Sequence, residues 1–213
     1  MTDLRAVVRR KPDRGSTDAR HVEAILDAAL VCHVGFVDDG QPFVIPMTFA
    51  RDDGTLLLHG SPASRLLRHF DGTTEACVEV TILDGLVLAR SAFDHSMNYR
   101  SVVCFGRPAP IEDLGERAVA LDAITDRLVP GRREHLRPMT EKEVRATLVL
   151  RMTIEAASAK VRSGPPGDDD EDWDVWVGEV PLRTVAGDPV PAEGWESADI
   201  PPHITALGSN PGL

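Results

Sequence analysis

The residues with the clearest chemistry lie where an apolar strand runs into a short polar turn. The sequence Thr55-Leu-Leu-Leu-His-Gly-Ser-Pro-Ala-Ser-Arg-Leu-Leu67 is typical of a strand, a Gly/Ser turn and a helix start. The hydroxyls of Ser61 and Ser64, the Arg65 guanidinium and the N–H groups of a helix start all supply what phosphate oxygens accept. The stretch therefore indicates a phosphate site. It equally fits an ordinary helix start, with Ser61 as the cap and Pro62 in the first turn.

Polar residues also gather in the stretch 94–101, just before a predicted strand. Tyr99, the only tyrosine of the chain, is followed by Arg100 and Ser101, and all three are candidate cofactor contacts. Arg100 suits a phosphate, but it can equally orient Asp94 or form a surface ion pair. The sequence leaves these roles open.

A third group of candidates lies further along the chain. Lys160 and Arg162 alternate in a strand-like segment, so both side chains face one side and can reach one anion, a phosphate or an acidic substrate. A solvated strand edge is the alternative. Trp176 can cover an aromatic cofactor or pack in the core. His59 can contact a ligand or complete the hydrogen bonding at its strand end.

Composition limits the kind of ligand. The chain of 213 residues is long enough for one domain with a sizeable core. Its formal net charge of −11 repels nucleic acid and anionic membranes, so a phosphate-bearing ligand must be small and held by a local basic cluster. The absence of a long apolar run or a signal-peptide core predicts a cytoplasmic protein without a membrane span. Cys32, Cys77 and Cys104 lie singly in apolar runs, which predicts buried reduced thiols and no metal site.

The elements that must position these residues are mostly strands. Asp-Gly turns between alternating runs predict a meander that continues into a barrel of at least six antiparallel strands. The predicted strands cover 30–37, 41–50, 55–59, 75–83, 86–91, 100–111 and 146–156. Helical spacing predicts helices over 17–29, 62–70 and 114–128, and a short one after Thr140. We expect an N-terminal arm over 1–20, a barrel domain over 21–185 and a polar tail over 186–213.

Five segments occur in order along the chain. They are Gln41-Pro-Phe-Val-Ile-Pro-Met47, Leu58-His-Gly-Ser61 with Ser64-Arg65, Tyr99-Arg-Ser-Val-Val-Cys-Phe-Gly106, Ser158-Ala-Lys-Val-Arg-Ser-Gly-Pro165 and Trp176-Val-Gly-Glu-Val-Pro181. Together they resemble the pyridoxamine 5'-phosphate oxidase-related, flavin-nucleotide-binding family. The match runs over residues 14–182, and the part around His59 is also similar to nitroimidazole-resistance proteins.

The resemblance implies a mainly β (α+β) fold, an FMN-binding split β-barrel of about six to eight antiparallel strands with peripheral helices. It also implies a homodimer with FMN sites between the subunits and a small-molecule substrate. Backbone groups of the strand around Val44, Pro46 and Met47 can pair with the flavin's N3–H and carbonyl oxygens, and its two prolines indicate an edge without ladder hydrogen bonds. The candidate cofactor residues are Val44, Pro46, Met47, His59, Ser61, Ser64, Arg65, Tyr99, Arg100, Ser101, Lys160, Arg162 and Trp176; His59 is also the candidate substrate contact.

The resulting hypothesis is an FMN-dependent oxidoreductase that acts on a small molecule. The segment 176–182 replaces the Arg-Leu-His-x-Arg-like segment of genuine pyridoxamine phosphate oxidases, so their substrate residues do not carry over. A flavin-binding, storage or redox-sensing protein without turnover is the first alternative. The same fold with a deazaflavin or a haem is the second, and haem ranks last, with His59 or His95 as iron ligands.

Overall fold

Antiparallel strands dominate the structure, a computed structural model that describes residues 3–167 and 173–209. The strands are β1 Gly15–Ser16, β2 Val31–Asp38, β3 Gln41–Asp52, β4 Thr55–Gly60, β5 Ala76–Leu88, β6 Ser96–Gly106, β7 Ala109–Pro110, β8 Leu148–Thr153, β9 Ala156–Arg162 and β10 Gly178–Pro181. The helices are α1 Ala19–Ala28, α2 Arg65–His69, α3 Leu114–Leu128, α4 Glu141–Arg145 and α5 Pro202–Thr205. Short 3-10 turns lie at Leu4–Ala6, Pro12–Arg14, Arg133–His135 and Ala206–Ser209. None of the described helices is long and apolar enough to cross a membrane.

The strands form one sheet that divides into two halves along β3. Across the sheet the order is β1-β9-β6-β5-β2-β3-β4-β8-β7, and β10 pairs with the end of β5. β3 pairs with β2 over residues 41–48 and with β4 over residues 49–52, so it belongs to both halves. The fold is the mainly β split barrel with peripheral helices that the sequence predicts.

Alternation along the strands fills the barrel interior. On β2, Cys32, Val34 and Phe36 point inward and are at most 5% exposed, whereas His33 and Val37 are exposed. Each large apolar side chain buried in this way contributes about 1.5–3 kcal/mol relative to leaving it in water. The period of two therefore decides which face of the sheet becomes the core and which stays open.

Two helices pack on this core. α1 follows the N-cap Asp18 and buries Ile25 and Leu26, and α2 buries Leu66 and Leu67. A second, smaller core lies between α3 and the outer face of β3, β4 and β8. Its members are Ala50, Leu57, Ile111, Ala120, Leu121, Ile124 and Val149. α3 therefore covers the half of the sheet that α1 leaves bare.

The structure corrects two predicted strand boundaries. The runs 75–83 and 86–91 form one strand, β5, because a bulge between Leu83 and Gly85 lets the pairing with β6 continue. The predicted strand 146–156 ends at Thr153, and β9 begins at Ala156 as a separate strand. The sheet consequently contains longer hairpins than the turn signals suggest.

The structure also corrects the start of α2. Ser64, not Ser61, is the N-cap, and the helix covers five residues from Arg65 instead of the predicted 62–70. The Ser61 hydroxyl accepts a hydrogen bond from the N–H of Ala63 (3.1 Å), which closes a turn before the helix begins. The predicted helix over 114–128 is confirmed as α3, and Thr140 forms a capping box with Glu143 at the start of α4.

The predicted N-terminal arm takes part in the sheet. Its residues Gly15 and Ser16 form β1, which pairs with Lys160 and Ala159 at the edge of β9. The predicted boundaries of the arm, the barrel domain and the tail stay predictions. The acidic residues 168–172 and the ends of the chain, 1–2 and 210–213, lie outside the described residues.

Candidate functional site

β3 presents an open edge beside α2. Over residues 41–48 the strand pairs with β2 on one side, and β4 joins its other side only from Phe49 onward. Pro42 and Pro46 have no N–H to donate, so they occupy positions of β3 that form no backbone hydrogen bond with β2. In an antiparallel pair, such positions alternate with the hydrogen-bonded ones. Val44 lies two residues from each proline, so its N–H and C=O point to the open edge. The backbone can therefore read a planar ligand that carries both donors and acceptors.

The side chains of this strand divide between two faces. Val44 is 68% exposed and Pro46 is also exposed, whereas Met47 lies partly buried against the core. Val44 and Pro46 thus form an open apolar surface next to the edge. Met47 packs below it.

Polar side chains without strong partners gather at α2. Ser64 makes no side-chain cap bond, and the Arg65 guanidinium lies over the ring of Phe43, 4.6 Å from its centre. Neither Arg65 nor Arg68 forms an ion pair within residues 3–167 and 173–209. They line a cavity of ≈ 630 Å³ together with Ala63, Asp38 and His69.

The charges of this cavity favour an anion. Two guanidinium groups three residues apart share one helix face, and one carboxylate lies near them in a chain whose net charge is −11. Because α2 has only five residues, its backbone dipole adds less than the sequence suggests. The side chains of Arg65 and Arg68 carry the attraction instead.

His59 lies apart from this cluster. Strand alternation puts it on the face of Leu57, which α3 covers, whereas Gly60 faces Leu67 on the other side. Burial lowers the pKa of His59, and its Nδ1 has no hydrogen-bond partner within the described residues. The imidazole is therefore neutral at neutral pH. The structure does not place it against the Arg65 cavity.

Tyr99 and Ser101 line a different site, a groove of ≈ 620 Å³ on the outer face of β5 and β6. Leu83, Leu86 and Met97 give the groove an apolar surface, and each of them is 38–47% exposed. Among residues 3–167 and 173–209, no Asp, Glu, Lys or Arg lines it. The groove suits the flat apolar face of a ligand.

A histidine stands in this groove. His95 Nδ1 lies 2.7 Å from the carbonyl oxygen of Ser91. Since a carbonyl oxygen only accepts, Nδ1 carries the proton and Nε2 keeps a free lone pair. His69 is arranged differently: its Nδ1 lies 3.4 Å from Asp38 Oδ1, and its Nε2 has no accessible surface. His95 thus offers a reachable imidazole nitrogen, whereas His69 does not.

Arg100 pairs with Asp84, a partner that sequence analysis did not consider. Its guanidinium donates to the two carboxylate oxygens at 2.8 and 2.9 Å. Asp94, which the sequence allows as a partner, instead accepts a hydrogen bond from the Ser91 hydroxyl at 2.8 Å. The ion pair ties β6 to the bulge of β5, so Arg100 has a structural task beside any contact with a cofactor.

Lys160 and Arg162 share a face of β9 as predicted, but their surroundings differ. Arg162 is 8% exposed; it donates to the side-chain oxygen of Asn98 and to the carbonyls of Gly164 (3.0 Å) and Pro165 (3.1 Å). Lys160 lies across from Ser101 and forms no ion pair within the described residues. Lys160 is therefore the cation of this pair that is open to a ligand.

Trp176 is 63% exposed and covers Gly178. A Cβ at Gly178 would lie 2.8 Å from the indole ring, so a larger residue does not fit there without moving the tryptophan. Gly178 pairs with Leu88 at the end of β5. The indole thus stands at the end of the strands that carry the groove.

Within one chain the candidate residues form two groups. The register links Val44 to Cys77 on β5 through Gly35, and it links Tyr99 to Leu83 on the same strand. Leu83 lies six residues beyond Cys77, a separation of about 20 Å along the strand. The structure brings Arg65, which follows Ser61 and Ser64 along the chain, to the strand with the open edge, but it does not bring Tyr99, Ser101 and Lys160 there.

Sequence reasoning missed Arg68, His69 and Asp38 in the α2 cavity. Arg68 lies three residues after Arg65, so helical spacing was a signal that could have found it. Asp38 and His69 come from separate elements, and only the folded chain brings them together. No local pattern predicts their contact.

The three cysteines are unreactive thiols at neutral pH. Cys32 and Cys104 are fully buried, and burial raises the pKa of both thiols to about 12. Burial and the charge of Glu79 also raise the pKa of Cys77. All three are free thiols that stay protonated at neutral pH. The described residues contain no cluster of three or more His, Cys, Asp and Glu suited to a metal ion.

Comparison with known proteins gives a family and several structural neighbours. The pattern of a family described as pyridoxamine 5'-phosphate oxidase matches residues 18–161. No curated protein matches significantly.

Two solved structures match along nearly the whole chain. The flavocytochrome Anf3 from Azotobacter vinelandii is 39% identical with a TM-score of 0.89, over 96% of this chain and 97% of that one. The FAD and heme binding protein from Mycobacterium smegmatis is 38% identical with a TM-score of 0.87, over 92% and 97%. A protein from Bacteroides thetaiotaomicron described as a 5-nitroimidazole antibiotic resistance protein is 26% identical with a TM-score of 0.58, over 69% of this chain and 86% of that one.

Proposed function

Because the chain belongs to the pyridoxamine 5'-phosphate oxidase family, we propose that it is a homodimeric oxidoreductase that binds a flavin nucleotide and a haem. Two relatives that span almost the whole chain are named for a flavin and a haem together. We therefore propose haem as a second cofactor beside the flavin, although the sequence alone ranks it last among the alternatives. A flavin would supply hydride or two-electron transfer and a haem one-electron transfer. The protein's own contribution is to bind both groups and to orient them.

The observation that carries the flavin proposal is the unpaired basic cluster of α2. Arg65 and Arg68 lack carboxylate partners in the described chain although acidic residues outnumber basic ones, 34 to 23. A phosphate or diphosphate group supplies the missing negative charge, and the Ser64 hydroxyl adds a donor. The cavity beside the open edge of β3 therefore fits the phosphate end of a flavin nucleotide.

The open edge fits the ring end. The N–H and C=O of Val44 match the acceptor and donor atoms along the pyrimidine edge of a flavin, and the exposed surface of Val44 and Pro46 lies beside them. Arg65 stands over Phe43, the next residue along the strand. Ring and phosphate contacts are thus continuous in one chain.

FMN is the cofactor that the sequence resemblance implies, and FAD is the second candidate. FAD carries two phosphates, which the pair Arg65 and Arg68 suits, and one relative of 38% identity is named for FAD. Mass spectrometry of the flavin released from the purified protein separates the two. If the extract contains only FMN, Arg68 has no second phosphate to bind and is not part of the flavin site.

The proposed site needs a second copy of the chain. Tyr99, Ser101 and Lys160 lie too far from Val44 to meet the same ring within one chain. A homodimer that sets the outer face of β5 and β6 against the α2 edge of the partner brings the two groups together.

The groove with His95 is the best-fitting place for a haem. An axial histidine needs a free Nε2 and gains basicity when Nδ1 donates to a carbonyl, which is the arrangement of His95 and Ser91. The apolar lining of the groove suits a porphyrin face, and Lys160 near Ser101 is a cation that can pair with a propionate. His59 Nδ1 and His69 Nε2 are enclosed by protein, and His59 lies on the face of its strand that α3 covers.

Absorbance of the purified protein tests the proposal directly. Flavin bands together with a Soret band are expected, either as isolated or after addition of FAD, FMN and haemin. A protein that stays colourless after all three additions would sink the proposal. Flavin bands without a Soret band would leave the flavin half standing and remove the haem.

Turnover separates an oxidoreductase from a storage or sensing protein. Stopped-flow mixing with NADH or NADPH is expected to bleach the flavin bands of the loaded protein. Tight flavin binding without reduction by nicotinamides or other candidate donors would favour the binding protein instead.

The backbone contact at Val44 gives a prediction of its own. Val44→Pro is expected to weaken flavin binding by about 1 kcal/mol, roughly fivefold in Kd, because it removes an N–H that faces the open edge. The ladder with β2 loses no hydrogen bond, since the neighbouring prolines already occupy equivalent positions. Quenching of flavin fluorescence on titration with the apoprotein measures the change.

Two variants make this test specific. Val44→Thr keeps the N–H, so it should bind flavin like the wild type. Ile45→Pro removes an N–H that faces β2 and should lower the melting temperature. If Val44→Pro binds flavin as tightly as Val44→Thr, this N–H does not read the ring.

A further inference from the structure

A stacked pair of histidines holds the last described part of the chain. Residues 182–201 contain no helix or strand, and Val190 and Trp195 in this stretch are 90% and 67% exposed. α5 then brings His203 face to face with His135, with ring centres 4.4 Å apart and planes 11° apart. Gly131 has a φ of 79° and lies below, where a Cβ would be 3.7 Å from the Cβ of His203. We call residues 183–209 the C-terminal segment.

The stack is closed to water at its inner nitrogen. His203 Nε2 has no accessible surface and no hydrogen-bond partner within the described residues. The ionisable side chains nearest along the packed elements are Arg132, Arg133, Glu134 and, on α3, Asp122 and Asp126. Asp122 pairs with Arg133 at 2.9 Å, and Asp126 accepts from the Arg133 N–H at 3.2 Å. Neither imidazole forms an ion pair with these carboxylates or with Glu134 within the described residues.

A proton on the stack has no favourable place. Two neutral imidazoles stack without charge repulsion, but one imidazolium would face the other ring and lie close to Arg132, and its buried N–H would find no acceptor. Burial, His135 and Arg132 together lower the pKa of His203. All these effects act in the same direction, against protonation in the docked state.

We propose that the His135–His203 stack is a pH-sensitive latch that holds the C-terminal segment on its own subunit and releases it at mildly acidic pH. The proposal does not depend on a flavin or a haem. The stack is intact while His203 is neutral, at pH values above the ordinary histidine range. It is lost as the pH falls through and below 6.5, because the free histidine takes up a proton that the docked one excludes.

Release frees the far end of a stretch that carries exposed apolar side chains. Val190 and Trp195 lie on the surface, and the N–H groups of Trp195 and Ala198 donate to the carbonyls of Ala192 and Trp195 within the segment. The latch therefore sets how far this stretch can move from the barrel.

Hydrogen exchange of the full chain tests the latch at pH 7.5 and 5.5, with rates corrected for intrinsic exchange. The reporters are the amides of Ile204 and Thr205, which donate to Pro201 O in the docked α5. Their protection is expected to fall by about tenfold or more at pH 5.5, while amides of α1 stay protected. Equal protection of α5 at both pH values would overturn the proposal.

Two substitutions at one position separate charge from shape. His203→Gln cannot take up a proton, so its α5 amides should exchange alike at both pH values. His203→Arg carries a permanent charge and should expose α5 even at pH 7.5. His21→Gln, at an exposed histidine that contacts Ser16, should behave like the wild type. A pH response that persists in His203→Gln, or full protection of His203→Arg at pH 7.5, would contradict the latch.

Discussion

Arg65→Ala is expected to weaken flavin binding by about 1.5–3 kcal/mol, roughly 10- to 150-fold in Kd, the range for hydrogen bonds to charged groups. The guanidinium lies over Phe43 beside the open edge of β3 and has no ion-pair partner in the described chain. It is therefore free to bind phosphate. Its loss removes charge from the site without leaving a buried carboxylate unpaired.

The measurement is a flavin titration of the apoprotein followed by fluorescence quenching, with FMN and FAD in parallel. Arg20→Ala is the matched control, because Arg20 is an exposed arginine that contacts Asp18 far from the cavity. It should leave Kd unchanged. Arg65→Ala that melts like the wild type and binds flavin equally well would remove the phosphate role.

Arg68→Ala refines the same test. If the cavity holds a diphosphate, this variant should weaken FAD binding more than FMN binding, since FMN has a single phosphate for Arg65 to hold. Equal losses for the two flavins would assign Arg68 to general attraction of anions. The affinity losses of Arg68→Ala for FAD and for FMN thus indicate which of the two flavins the cavity fits.

The polar cluster around α2 could be recognised in the sequence because it is local, and its role in phosphate binding stays a prediction. Ser61, Ser64 and Arg65 lie within five residues, so their types and spacing were enough to indicate an anion site. The open edge was also indicated by two prolines in one strand, and in the part of the chain that the structure describes no second strand pairs with β3 there. Short-range chemistry and backbone rules decide both features.

The groove could not be predicted in the same way. It depends on β5 and β6 pairing past Asp84-Gly85, a dipeptide typical of a turn. In the structure this dipeptide forms a bulge within β5, because Arg100 binds the Asp84 carboxylate and β10 pairs with the part of β5 that follows the bulge. Tertiary contacts thus override a local turn signal. Apolar residues that seemed to belong to two strands then line one surface.

The arginines show a similar limit. Alternation predicted the shared face of Lys160 and Arg162, but it could not show that Arg162 would be enclosed by Asn98 and the carbonyls of Gly164 and Pro165. A guanidinium has five donors, so nearby carbonyls compete with any ligand. Side-chain partners that come from loops decide which cation stays free.

His95→Ala is expected to lower haem affinity by at least about 100-fold, because groups that only orient a metal ligand already contribute 10- to 100-fold. The imidazole presents a free Nε2 in the groove while Nδ1 donates to Ser91 O. Titration with haemin, followed at the Soret band, measures the loss. Flavin binding should fall much less than haem binding, since His95 is not one of the residues proposed to contact the flavin.

His69→Ala is the matched control for the haem site. His69 also has one nitrogen near an oxygen, Asp38 Oδ1, but its other nitrogen is enclosed by protein. It should therefore keep the haem that His95→Ala loses. Loss of haem in His69→Ala and its retention in His95→Ala would move the iron site to the α2 cavity, where Arg65 and Arg68 would then face propionates rather than a flavin phosphate.

Chemical rescue with imidazole tests most directly whether His95 binds the haem iron. His95→Gly leaves a gap that free imidazole can fill, so added imidazole should restore the Soret band without any other change to the groove. Met97→Lys keeps His95 but places a charge on the apolar wall, and it should weaken haem binding without abolishing the ligand bond. A protein in which neither variant alters the Soret titration does not hold haem in this groove.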